Sequence, residues 1–213
     1  PHIHPPPDMI AELSTAGAMD VCLNPTKVVE KKASSSSTFR RSYPADPYAI
    51  MLDMIKSCGK QKDLCEAMKI HTNIRERGLI QKDVNVGTAL ISMYAKCGAI
   101  SLAKEVFQEL PVRDVVSWTA LMAGYAQVGR DRIVLDSYER MIGEGINPDV
   151  VTFTVLLNAC SDAGLLDEGK IYFETMIRTY DIIPTQEHCA CMVDLFSRAG
   201  QFDKALVVIE RMP

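Results

Sequence analysis

From Tyr48 onward the chain alternates apolar and polar positions with the spacing of amphipathic helices, and the breakers fall only at the ends of the periodic stretches. Pro111, Pro148 and Pro184 sit at such ends, where a helix tolerates the loss of an N–H donor. Gly98, Gly129, Gly164 and Gly200 each close an apolar stretch of about a dozen residues, and they are separated by 31, 35 and 36 positions. A recurrence in that range is the mark of stacked repeats.

Aligning the chain on these glycines brings the flanking residues into register. The ten residues ending at Gly98 (ALISMYAKCG) match those ending at Gly129 (ALMAGYAQVG), at Gly164 (VLLNACSDAG) and at Gly200 (CMVDLFSRAG). A degraded copy runs from Asp53 to Lys62, with Lys62 where the glycine would stand. A second apolar-periodic stretch follows each glycine, predicting helices over 100–110, 130–143, 165–179 and 202–212. Each unit therefore reads as a helix, a tight turn at glycine and a second helix; glycine enters positive φ at a helix end without steric cost. One hairpin cannot bury its apolar face alone, but stacked neighbours build a continuous core. The expected fold class is all-α, an α-solenoid of helix-turn-helix repeats over 45–213.

Residues 1–44 differ. Pro5-Pro6-Pro7, the serine run from Ser34 to Ser37 and Arg40-Arg41 leave little apolar periodicity, which predicts a disordered or linker-like segment. Residues 27–41 are Ser-rich and basic, with Glu30 the one acid; they read either as a linker or as the end of a presequence.

The phrases around the glycines resemble pentatricopeptide repeats, and in particular the plant subgroup that alternates standard, long and short units. On that resemblance the array divides into 48–83 (a degraded long unit), 84–114 (short), 115–149 (standard), 150–185 (long) and 186–213 (short, incomplete). The tetratricopeptide repeat is the rival family, but its period is constant, whereas these units vary in length. The resemblance implies a right-handed superhelix whose first helices line the concave side. It also implies sequence-specific binding of single-stranded RNA, with one base read per unit by two or three side chains, in RNA processing or C-to-U editing in the mitochondrion or chloroplast. The expected partners are single-stranded RNA and editing or processing factors. No cofactor, metal, membrane or small-molecule substrate is expected. The C-terminal deaminase extension that often follows in this subgroup is absent from the chain, so it is expected not to be an enzyme.

In this family the fifth and last residues of a unit together read a base edge. Here that assigns Thr88 with Asp114 and Thr119 with Asp149, and it adds Thr154 as a fifth residue whose unit ends in Thr185. Thr with Asp is the family's guanine pair. A short hydroxyl can bond a Watson–Crick edge, and an Asp can orient it or accept from the base. The plainer reading makes the threonines half-exposed helix residues and the aspartates N-caps of the next helices; for the aspartates both can hold. Val116 and Val151, second residues of their units, match the position that sandwiches a base, whereas Ala49, Asn85 and Glu187 depart from it. Lys96 and Arg198, two residues before the turn glycine, match a phosphate-contact position; Gln127 and Asp162 occupy it in the other units.

Composition tempers the RNA reading. The net charge is −4, whereas nucleic-acid binders usually owe their sequence-independent affinity to basic patches. Any α-solenoid can also hold a peptide on its concave face, so a protein-interaction scaffold is the alternative function. No stretch reaches the roughly 18 apolar residues of a membrane span. The seven cysteines have irregular spacing and read as reduced thiols; Cys58, Cys97 and Cys160 fall near the turns as small packing residues. His188, Cys189 and Cys191 lack metal-ligand spacing. Asp162, Asp167 and Glu168 read as the solvated start of a helix rather than as a catalytic pair.

Overall fold

The structure, a computed structural model, describes residues 47–213; the expectations for 1–44 lie outside the described residues. Among the described residues ten helices follow one another: α1 (Pro47–Gln61), α2 (Leu64–Glu76), α3 (Val84–Lys96), α4 (Ile100–Glu109), α5 (Val115–Gln127), α6 (Asp131–Gly143), α7 (Val150–Ala163), α8 (Leu166–Arg178), α9 (Gln186–Arg198) and α10 (Phe202–Glu210). They hold about three quarters of the described residues, and no strand occurs among these. The second helices begin and end within two residues of the stretches expected from periodicity.

The turn inside each hairpin repeats in detail. Gly98, Gly129, Gly164 and Gly200 all have φ between 66° and 73°. In each case the following N–H bonds back across the turn: Ala99 to Tyr94 O, Arg130 to Tyr125 O, Leu165 to Cys160 O and Gln201 to Phe196 O, at 2.8–2.9 Å. This is the helix-ending motif in which a left-handed residue lets two otherwise orphaned carbonyls find donors. Lys62 adopts φ 56° at the equivalent place in the degraded unit. The turn therefore survives there without its glycine.

The order of contacts gives the architecture. Each first helix packs on its own second helix and on the next first helix: α1 on α3, α3 on α5, α5 on α7, α7 on α9. The backbones of the second helices come close to first helices only; where second helices meet one another they do so through long side chains, as Tyr138 of α6 does with Tyr172 of α8 and Arg75 of α2 with Glu109 of α4. An inner layer of contiguous helices with an outer layer of separated ones curves toward the inner layer, so the first helices line the concave side. The core runs unbroken along the array. It includes Ile55, Ile74, Leu90, Val106, Trp118, Met141, Phe153, Met176 and Leu195, all fully or nearly fully buried. Aromatic edges link adjacent helices: Phe107 meets Trp118 with centroids 4.7 Å apart, and Tyr138 meets Tyr172 at 5.4 Å. Burial pushes the Cys160 thiol up to about 12 and the Cys191 thiol up to about 11, so both pack as inert small side chains.

Candidate nucleic-acid interface

Every expected reading residue lies at the N-terminal end of a first helix, because the last residue of one unit is the N-cap of the next. Asp83, Asp114 and Asp149 each have extended backbone and accept an N–H from the turn that follows: Asn85 at 2.8 Å, Ser117 at 2.8 Å and Thr152 at 2.8 Å, respectively. Asp114 and Asp149 complete capping boxes, in which the Ser117 and Thr152 hydroxyls accept the cap residue's own N–H. Thr185 forms the same box with His188, which sits in the third place of its unit like Ser117 and Thr152. The N-cap reading of the aspartates is thus correct. Asp83, the last residue of the first unit, belongs to the same row, though sequence reasoning passed over it. It also accepts the Tyr48 hydroxyl at 2.5 Å, which holds its carboxyl below the usual range.

The fifth residues are less alike than the sequence suggests. Thr88 is half-buried, and its hydroxyl is enclosed without a hydrogen-bond partner. Thr119 is not half-exposed: it keeps 6% of its surface, and its Oγ1 lies 2.9 Å from Thr152 Oγ1. Thr152 in turn bonds Asp149 Oδ1 at 2.8 Å. The expected pair Thr119 and Asp149 is therefore joined through one intervening hydroxyl. Thr154 donates to Val150 O at 3.0 Å and lies 2.9 Å from His188 Nε2. Repeat spacing alone carries no sign of these links, because they run between the first turns of neighbouring helices.

Val116 and Val151 stand in the first turns of α5 and α7 with 55% and 56% of their surface exposed. Both side chains are open to solvent on the helices that carry Thr119 and Thr152. Lys96 is exposed at the end of α3. Arg198 is exposed too, but its Nε is 2.7 Å from Asp194 Oδ2, so its charge is already partnered. His188 is fully buried, with both ring nitrogens hydrogen-bonded, and Cys189 and Cys191 are buried on the same helix. Asp167 and Glu168 open α8 as expected, whereas Asp162 lies in the last turn of α7.

The same hairpins are found in known proteins. A PPR repeat family profile matches residues 113–162, and a PPR repeat profile matches 88–115, 151–179 and 188–213. The chain belongs to the pentatricopeptide repeat family. A putative pentatricopeptide repeat-containing protein of Arabidopsis thaliana is 44% identical over 160 residues, which cover 75% of this chain and 32% of the relative. Two further relatives from that plant, one chloroplastic and one mitochondrial, are each 38% identical and are covered over 21% and 27% of their length. The chain thus spans a third or less of these relatives. Among solved structures, the pentatricopeptide repeat protein PPR10 from maize superposes with a TM-score of 0.63 at 22% identity, over 78% of this chain and 24% of that one. PPR10 in complex with an 18-nt psaJ RNA element superposes at 0.62, again at 22% identity, covering 78% of this chain and 25% of that one. These likenesses establish the solenoid fold.

Proposed function

We propose that this array binds single-stranded RNA along its concave side, one base per unit, and serves organellar RNA processing or editing as a recognition module without a catalytic site of its own. The observation that carries the reading is the Thr119–Thr152–Asp149 chain of hydrogen bonds, on the two helices that also bear the exposed Val116 and Val151. Hydroxyls for a base edge on the same helices as open apolar side chains for its faces are the combination that base recognition on a single strand requires, and this supports the reading. The PPR10 complex with RNA and the organellar relatives support the same direction.

On this reading the units 84–114 and 115–149 carry complete pairs of one kind and prefer two successive guanines, with RNA running 5′ to 3′ from the N-terminal unit to the C-terminal one. Stacking and edge contacts are worth roughly 1–3 kcal/mol per base. Two complete sites leave little after ordering costs, so affinity for a short RNA is no tighter than about micromolar. The test is a competition assay with short RNAs in which each of two adjacent guanines is replaced in turn. Loss of binding on replacing either guanine supports the reading; indifference to both removes it. The net charge of −4 favours a second reading, a scaffold for a peptide on the same concave side. Retention of a peptide with no measurable RNA binding would select it.

A further inference from the structure

Units 84–114 and 115–149 carry the same reading pair, Thr88 with Asp114 and Thr119 with Asp149, yet their hydroxyls are held differently. The difference lies in the third residue of the following unit. A Thr hydroxyl has one proton and two lone pairs, and an ionised carboxylate only accepts. Thr152 Oγ1 must therefore give its proton to Asp149 Oδ1, 2.8 Å away. One of its lone pairs accepts the Asp149 N–H at 3.3 Å. The remaining lone pair faces Thr119 Oγ1 at 2.9 Å, and only Thr119 has a proton left to place between them. The Thr119 proton is thus committed inward, and its oxygen has lone pairs alone to offer a base.

The same polarity recurs one unit on, by different chemistry. The Thr185 N–H donates to His188 Nδ1 at 3.1 Å, so the ring proton is on Nε2. That nitrogen lies 2.9 Å from both Thr154 Oγ1 and Val150 O, and Thr154 gives its own proton to Val150 O. Thr154 is again left as an acceptor. In unit 84–114 the device is missing. Ser117 turns its hydroxyl onto Asp114 O at 2.9 Å and accepts the Asp114 N–H at 3.0 Å, and Thr88 is left with no partner. Its hydroxyl, although enclosed, is oriented by no hydrogen bond.

We infer that the third residue of a unit is a positioning residue for the base-reading hydroxyl of the unit before it, with Thr152 acting on Thr119 and His188 on Thr154. An acceptor-only hydroxyl beside an acceptor-only carboxylate matches an edge with two neighbouring donors. Guanine, with its N1–H and exocyclic N2 amine, is the base that offers one. A hydroxyl that no partner orients also tolerates a base presenting an acceptor. The Thr119 site is therefore the stricter of two sites with identical reading pairs. The inference rests on the RNA reading proposed above.

The experiment uses the full chain and short single-stranded RNAs carrying two successive guanines, each replaced in turn by the other three bases. In the parent, replacing the 3′ guanine costs more binding than replacing the 5′ one. Thr152→Val keeps the side-chain shape and the Thr152 N–H cap but removes the hydroxyl. It is expected to lower discrimination at the 3′ guanine by roughly tenfold, within the range of one well-formed edge contact. Ser117→Ala removes the same kind of capping hydroxyl where no link to the reading residue exists, and leaves discrimination at the 5′ guanine unchanged. Ser117→Thr is expected to raise discrimination there. If Thr152→Val weakens binding to all four bases equally, the residue is a helix cap only and the inference is wrong. If Thr152→Val does not fold, an unchanged 5′ preference in Ser117→Thr overturns it instead. A parent that distinguishes no base at either place fails the RNA reading itself, a result separable from the other two.

Discussion

His71 Nδ1 lies 2.9 Å from the Tyr94 hydroxyl, with the two rings edge to face at 5.5 Å, and this contact joins α2 to α3 across the first repeat boundary. The other ring nitrogen, Nε2, is enclosed and has no partner. A second ring proton would find no acceptor there. Burial, and next the Arg75 charge, lower the His71 pKa from its ordinary 6.5. The unfolded chain thus takes up the proton at higher pH than the folded one. The stabilisation is complete above about pH 6.5 and is lost as pH falls through the lower folded value. Thermal melts should be flat above neutrality and fall below it, and His71→Gln should flatten the acid limb. A parent melt that does not change between neutral and mildly acid pH would refute this assignment.

Gly124 sets how closely α5 approaches the preceding hairpin. A Cβ there would stand 2.8 Å from Ile100 Cδ1 and 2.9 Å from Ala95 Cβ. Ile100 can turn away, but the Ala95 methyl is fixed to its backbone. Gly124→Ala should destabilise the array by about 1–3 kcal/mol, the usual cost of overpacking, despite alanine's better helix propensity. A urea midpoint equal to the parent's would show that the two helices have room to separate.

Lys62 holds φ 56° at a turn where four other units have glycine. A non-glycine residue pays roughly 1–2 kcal/mol for that conformation. Lys62→Gly should therefore stabilise the first hairpin, by about 1 kcal/mol once the looser unfolded chain is counted. Amide exchange in α1 and α2 reads this locally; faster exchange in the variant is the contrary result.

Salt should matter little to RNA binding. Arg198 already faces Asp194, Lys96 is the other cation at an expected phosphate position, and the chain carries a net charge of −4. Affinity should fall by less than about tenfold across a fourfold rise in salt that costs a phosphate-dominated binder roughly 10³–10⁵. A steep slope would place the RNA on a surface other than the first-helix N-termini.

Thr119→Asn should move the base preference of its site from guanine toward uracil. Asn beside Asp is the uracil pair of the family, and the amide supplies a donor that the committed Thr119 hydroxyl lacks. The switch should be worth about 1–3 kcal/mol in discrimination if the contact is direct. Competition between guanine and uracil at that nucleotide, in parent and variant, measures it. Equal preference in both proteins would break the pairing.

The repeat, its hairpin and its turns were legible in the sequence because they are local. Helix periodicity, proline at the ends and glycine at positive φ depend on residues within a dozen positions of one another, and even Lys62 was placed correctly by register. Asp114 and Asp149 were legible as caps for the same reason. What the fifth residues do was not legible. Thr88, Thr119 and Thr154 are one residue type at one register position, yet one hydroxyl is unpartnered, one is tied to Thr152 and one to His188. Those differences arise where first helices of successive units meet, some 33 or 34 residues apart in sequence. A hydrogen bond there depends on how closely two helices stack and which way a single capping side chain turns. Packing sets both, and the spacing of the repeats carries neither.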